Sequence, residues 1–255
     1  MDGYRPVRWG TKAHGTHCRE GEVGHNVFLE GPMGDTLGSP TISTKLQRIA
    51  NQAEDYPDLV FNNLYHLLDY DFLAEAYRRT RKDSAPGVDR VTAKQYAANL
   101  EINLRDLHDR LRNHRYKAPP VERVWIDKEG GKKRPIGKPS FEDKIVQRAC
   151  AMLLSPIYDH DFYDFSHGFR AGHSQHGALR ELERNCWGMN INWVVDADVS
   201  GFFDNLDHRI LREFIQKRVN DGGIKRLIGK WLNAGVVEKG QWTRSEQGTP
   251  QGGVI

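Results

Sequence analysis

Apolar residues recur at helical spacing between Asp58 and Lys82, as Leu59, Val60, Leu64, Leu67, Leu68, Phe72, Leu73, Ala76 and Tyr77. That period predicts two helices broken near Asp69–Asp71. Thr92 precedes a further stripe of Tyr96, Leu100, Leu104, Leu107 and Leu111 and is the expected cap of the helix that buries it. VERVWID (121–127) alternates like a strand, and EGGKKRPIGKP (129–139) supplies a glycine turn and a second strand, so a β-hairpin with a basic tip is expected. Helices follow over Glu142–Leu154, with Ile145, Val146, Ala149, Leu153 and Leu154 inward, and over His173–Trp187, capped by Ser174. The apolar, β-branched run Trp193–Val199 predicts a buried strand. Asp207 is the expected cap of a helix with Ile210, Leu211, Phe214, Ile215 and Val219 facing inward, and Ile224–Leu232 forms another. Gly235–Arg244 reads as a hairpin turning at Lys239–Gly240. Helices separated by antiparallel hairpins and one central strand fit an α+β fold better than regular βαβ winding. Residues 1–40, rich in Gly and His without a period, are expected to be disordered or loosely packed.

Composition narrows the function classes. The chain of 255 residues has no run of about 18 apolar residues, so no membrane partner is expected. Cys18, Cys150 and Cys186 are odd in number and far apart, which predicts a reducing, cytoplasmic setting rather than a disulfide framework. HGTHC (14–18) has no partner pair at zinc-finger spacing and is read as chance. The net charge of +3 hides an asymmetry: Arg78 to Arg148 holds 19 Lys and Arg against 10 Asp and Glu, or +9, and the remainder is −6. A basic half of this kind attracts phosphate backbones through counterion release.

The candidate chemistry lies in WVVDADVSGFFDN (193–205). On a strand, Asp196 and Asp198 share one face while Val195, Ala197 and Val199 take the other. A carboxylate at the end of a half-buried strand is a rigid mount for a hard cation; Mg²⁺ prefers oxygen ligands at about 2.1 Å. In phosphoryl transfer two such ions about 4 Å apart activate the attacking hydroxyl and stabilise the leaving oxygen. The basic hairpin tip, Lys128, Lys132, Lys133 and Arg134, suits a triphosphate, with Arg offering a planar fork. Phe203 follows Asp198 by five residues, where a ring could exclude a ribose 2′-hydroxyl; GTPQGG (248–253) is a tight loop bearing the amide of Gln251.

In this order, KEGGKKRPIGKPSFEDKIVQ, FSHGFRAGHSQHGAL, WVVDADVSGFFDNLDH and GTPQGG resemble successive motifs of reverse transcriptases of the group II intron-encoded maturase type; SAPGVDRVT resembles the loop that precedes them. The resemblance covers residues 40–255. It implies right-hand polymerase fingers over 41–190 and the first part of the palm over 191–255, ending before the Tyr-x-Asp-Asp motif, which occurs nowhere in the sequence. By position, Asp198 corresponds to the first metal-binding aspartate, with the Val199 backbone carbonyl on the same ion. Phe203 corresponds to the steric gate, Lys128 and Arg134 to the triphosphate-holding residues, and Gln251 to the glutamine beside the incoming nucleotide. Arg78, Arg79, Arg81, Lys82, Lys132, Lys133 and Arg170 are template or RNA-binding candidates. Gly168, Phe169 and Arg170 match the GFR motif, structural or template-side, and Asp204, Asn205 and His208 are expected to cap and orient the next helix. Ala171, His173 and Lys138 depart from the usual Pro, Arg and aliphatic residues.

The implied activity is RNA-directed DNA synthesis for a mobile group II intron, with assistance to intron splicing, two Mg²⁺ ions, dNTP, a DNA primer, and template and intron RNA as partners. This chain alone is expected not to polymerise. An unpaired edge on the 193–199 strand would favour self-association, so a homodimer is also expected. Two alternatives stay open: an RNA-binding module without catalysis, and the reverse transcriptase of a retron or diversity-generating element.

Overall fold

The computed structural model describes residues 41–127, 131, 133–189 and 191–249. The expectations for residues 1–40, the hairpin-tip residues Lys128 and Lys132, and Gln251 lie outside the described residues.

The order is α1 (Ile42–Asp55), a single 3₁₀ turn (Tyr65–Leu67), α2 (Tyr70–Arg79), α3 (Ala93–Ala97), α4 (Leu100–Arg112), β1 (Val121–Asp127), β2 (Lys133–Lys138), α5 (Phe141–Tyr158), α6 (Gln175–Gly188), α7 (His208–Gln216), α8 (Gly222–Leu232), β3 (Val236–Glu238) and β4 (Gln241–Thr243). This is α+β, as expected. Polar caps punctuate it, and at Thr92, Ser174 and Asp207 they stand where the sequence predicts. Asp69 accepts from Phe72 N–H, Thr92 and Gln95 form a reciprocal capping box, and Ser174 and Asp207 open α6 and α7. Two expectations change. Only the second of the two helices expected over 58–82 forms; the first reduces to the 3₁₀ turn, because its apolar residues turn inward from a loop. The long stripe after Thr92 divides into α3 and α4 at Ala98–Asn99. Helix α1 has no counterpart in the sequence reading.

Helix α5 is the axis of the core. Phe141, Ile145, Val146, Ala149, Leu153 and Ile157 are fully buried, and against them pack Phe72 and Leu73 of α2, Leu104, Leu107 and Leu111 of α4, and Ile224 of α8. Truncating a leucine at such a position costs about 2–5 kcal/mol. Two polar nodes tie distant segments together, the first of them on this axis. The Asp143 carboxylate accepts from Tyr116 O–H, from Trp231 Nε1 at 2.7 Å and from Gln147 Nε2 at 2.8 Å. Burial pushes its pKa up to about 6, against the pull of those three donors. Asp221 caps α8 through Gly223 N and Ile224 N and also accepts from Leu64 N at 2.6 Å and Tyr65 N at 3.0 Å.

Both hairpins form and join into one sheet of order β2-β1-β3-β4. β1 and β2 pair antiparallel, with Trp125 opposite Pro135 and Ile126 opposite Arg134. Pro135 lacks an N–H, which the edge position of β2 tolerates. β3 and β4 turn at Lys239 (φ 50°) and Gly240 (φ 82°), the positive-φ geometry that matches strand twist. β1 and β3 meet in parallel through Val121–Val236 and Glu122–Val237, a joint between segments 115 residues apart that local pattern does not reveal.

The buried strand expected at Trp193–Val199 is not present. The segment has no regular secondary structure, with Trp193 and Val195 each 90% exposed. A strand needs a backbone partner, and no described segment runs beside it; apolar composition alone cannot supply one. Helix α7 is also less buried than its stripe predicts. Val219 beyond its end is buried, and Leu211 and Ile215 pack against the core, but Ile210 and Phe214 are exposed.

Candidate active site

Asp196, Asp198 and Val199 lie in the exposed 191–199 segment. A turn follows: Asp204 N and Asn205 N both donate to the Gly201 carbonyl, at 3.1 and 3.0 Å, and Asn205 Nδ2 donates to it at 2.9 Å. Asn205 therefore closes this turn rather than capping α7. That cap is Asp207, which accepts from Arg209 N and Ile210 N; these donors hold its carboxyl below the usual range.

The first residues of GTPQGG dock on this turn. Gly248 N donates to the Leu206 carbonyl at 2.8 Å, Thr249 N donates to the Phe203 carbonyl at 2.7 Å, and His208 Nε2 meets the Gly248 carbonyl at 2.7 Å. His208 thus ties the loop down. Gly248 has φ +79°, and a Cβ there would stand 2.7 Å from the Asp204 oxygen and 2.8 Å from the Phe203 oxygen. Only glycine meets both the conformation and the contact. Phe203 itself packs edge-on against Phe202 with centroids 5.4 Å apart and stays part-exposed. Two of the sequence motifs, 45 residues apart, are so brought into one backbone unit. The sequence reading named Phe203 and Gln251 but missed the bonds that join their loops; the sole advance signal was a glycine ahead of Thr-Pro.

The basic candidates divide. Lys133 and Arg134 begin β2 with exposed side chains. Lys138, a departure from the motif, pairs with Glu122 at 3.0 Å, and Arg90 approaches the same carboxylate at 3.0 Å, which lowers the Glu122 pKa, chiefly through the Lys138 hydrogen bond. Arg78 and Arg79 both pair with Glu75, and Arg81 pairs with Asp83. Lys82 folds back onto the carbonyls that end α2, including Thr80 at 2.5 Å, with its ammonium 4.1 Å from the Tyr77 ring centre; burial lowers its pKa. Arg170 is almost wholly covered. Its guanidinium binds Asp159 Oδ1 at 2.8 Å and the carbonyls of Tyr163 and Ser166 at 2.9 and 3.0 Å. Of the two roles left open for the GFR motif, this arrangement favours the structural one, since those donors are spent on their own loop. Phe169 beside it is held at φ 60° and fully exposed. The SAPGVD loop is anchored by buried Lys144 of α5, which donates to Ser84 Oγ at 3.0 Å and the Ala85 carbonyl at 2.7 Å.

Among the described residues no three His, Cys, Asp or Glu side chains cluster as a metal site. Asp198 and the adjacent Val199 carbonyl are hard oxygen donors of the kind Mg²⁺ accepts, and they fit part of its shell. No described helix is long and apolar enough to cross a membrane.

An α+β chain carrying these motifs in this order, with two of them locked together, defines a nucleic-acid polymerase class. The chain belongs to the reverse transcriptase (RNA-dependent DNA polymerase) family, whose model matches residues 126–255. It is 36% identical over 221 residues to Protein YkfC of Escherichia coli, covering 84% of this chain and 58% of that protein. It is also 36% identical over 218 residues to the group II intron-encoded protein LtrA of Lactococcus lactis, covering 85% of this chain and 36% of that protein. Nuclear intron maturase 1, mitochondrial, of Arabidopsis thaliana is 30% identical over 124 residues, covering 45% of this chain and 17% of that protein. The chain thus spans well under two thirds of each of these relatives.

Proposed function

We propose that these residues are the fingers (41–190) and the first part of the palm (191–255) of an RNA-directed DNA polymerase of a mobile group II intron, which also assists splicing of its intron RNA. The observation that carries the reading is the docking of Gly248 and Thr249 on the Phe203–Leu206 backbone. It brings the Phe203 backbone beside Thr249, which supports reading Phe203 as the gate. In this reading Asp198 and the Val199 carbonyl hold one of two Mg²⁺ ions, which supply charge neutralisation at the reacting phosphate. Phe203 excludes the 2′-hydroxyl, while Lys128 and Arg134 hold the triphosphate. Lys132 and Lys133, with Arg78, Arg79 and Arg81, add positive potential for template and intron RNA, and a DNA primer and dNTP are the other reactants. The names of the intron-encoded and maturase relatives support the intron assignment.

The test is primer extension on an RNA template by the full reading frame that carries these residues, with RNA affinity measured alongside. Asp198→Ala is expected to abolish synthesis and to leave RNA affinity near wild type. Retained synthesis would refute the metal role, and loss of both would make Asp198 structural.

A further inference from the structure

Helices α7 and α8 enclose an open groove of about 540 Å³ whose lining carries four cations, Arg212, Lys225, Arg226 and Lys230, and no carboxylate. That volume lies within the range of about 300–1,000 Å³ usual for ligand clefts. We infer that this groove binds the phosphodiester backbone of RNA, as a surface apart from the residues assigned above to nucleotide, metal and template. It rests on the nucleic-acid reading of the protein but on none of that reading's residues.

The cations come from both walls. Arg212 lies on α7 one turn before Gln216, and its guanidinium reaches across to Gly229 of α8, 3.7 Å from where a Cβ would stand. Arg226 and Lys230 stand one turn apart on α8, with Lys225 beside them. Arg212 and Arg226 are exposed and form no ion pair with any described residue. The two lysines are held in place by neutral acceptors: Lys225 donates to Asn220 Oδ1 at 2.5 Å, and Lys230 donates to the carbonyls of Tyr116 and, at 3.4 Å, His114. Neutral acceptors orient an ammonium without cancelling its charge, so the groove keeps its positive potential. Burial lowers the Lys230 pKa first, and the nearness of Arg226 lowers it further; an anion in the groove would relieve the second of these. What sets the groove apart is that four cations converge on one concave lining without a carboxylate among them. At the adjoining end of the groove the acids Asp207 and Glu213 are already engaged, and Glu246 marks where the positive stretch stops. An open groove with two guanidinium and two ammonium groups on facing helices can engage successive phosphates of a chain, which a single small anion would not.

The test is equilibrium binding of a labelled oligouridylate of about 20 nucleotides, chosen to exceed the usual site size. It is titrated between about 50 and 200 mM KCl with wild type, R212Q/R226Q and the distant control R105Q. Both groove positions are exposed, and far-UV circular dichroism checks the helices. The double variant is expected to lose tenfold or more in affinity, and its log K against log[salt] slope is expected to shrink by about 1.4, two contacts at about 0.7 each. R105Q should stay near wild type. An unchanged slope in the double variant, or an equal loss in R105Q, would overturn the assignment. Displacement of the RNA by equimolar inorganic phosphate would make this a small-anion pocket. Equal displacement by polyglutamate would make it a site for an acidic protein segment. A wild type that binds no RNA at low salt would instead sink the nucleic-acid reading itself.

Discussion

Replacing Gly248 with alanine tests whether the loop ahead of Gln251 is seated by geometry. The new Cβ would stand 2.7 Å from the Asp204 oxygen and 2.8 Å from that of Phe203, and both obstacles are backbone. A flexible side chain could swing away; a carbonyl in a hydrogen-bonded turn cannot. The φ of +79° adds about 1–2 kcal/mol for any residue with a Cβ. The loop is therefore expected to lift, giving up Gly248 N–H to Leu206 and Thr249 N–H to Phe203, each worth about 1 kcal/mol net. The local opening free energy should fall by about 3 kcal/mol, roughly a hundredfold in equilibrium. Amide hydrogen exchange at Thr249 reads this directly, and it should quicken by about that factor while global stability moves by less than about 0.5 kcal/mol. Gly240→Ala is the control, because φ there is +82° but nothing lies within 4 Å of its Cβ position. It should leave Thr249 exchange as in wild type. Unchanged Thr249 protection in Gly248→Ala would refute the seating argument.

The Asp143 carboxyl keeps its proton to about pH 6 in the fold against 3.8 when free, so the fold binds the extra proton between those values. Its contribution to stability is then neutral below pH 3.8 and increasingly unfavourable up to pH 6, about 3 kcal/mol in total at 1.36 kcal/mol per unit. Urea unfolding across that window should show wild type weakening relative to Asp143→Asn by this amount; parallel curves would refute it. Phe203→Ala should raise ribonucleotide use relative to dNTP at least tenfold, about 1.4 kcal/mol, in primer extension by the full reading frame. Unaltered sugar discrimination would remove it as the gate. Arg134→Ala should raise the dNTP KM by about 10–100-fold, the worth of a charged hydrogen bond, with Arg134→Lys recovering only part because it lacks the fork; an unchanged KM would take it out of the site.

What the sequence made legible is what local chemistry decides. Helix caps need only a short polar side chain a few residues before a periodic stripe, so Thr92, Ser174 and Asp207 were readable. The Lys239–Gly240 turn was readable for the same reason. Helix α1 was legible by the same logic and was missed: Ile42, Leu46, Ile49 and Ala53 recur at helical spacing and pack on the core. The parallel joint of β1 and β3, the Asp143–Trp231 bond and the Asp221–Leu64 bond link residues 88 to 157 positions apart, and no local period encodes such meetings.

The 193–199 run shows the opposite failure. Composition gave it a strand's apolar, β-branched character, yet strand formation is a pairwise property and its backbone finds no described partner. The carboxylates of the candidate site are therefore named by their neighbours in sequence, while their floor comes from elsewhere. Asp198 and Phe203 sit five residues apart, close enough for a motif to capture both. What fixes the turn around Phe203 is Gly248 and Thr249, which contribute backbone atoms rather than side chains. A residue whose role is an amide, a carbonyl and the absence of a Cβ leaves little chemistry in its one-letter code, and its part in the site appears only once the chain has folded back on itself.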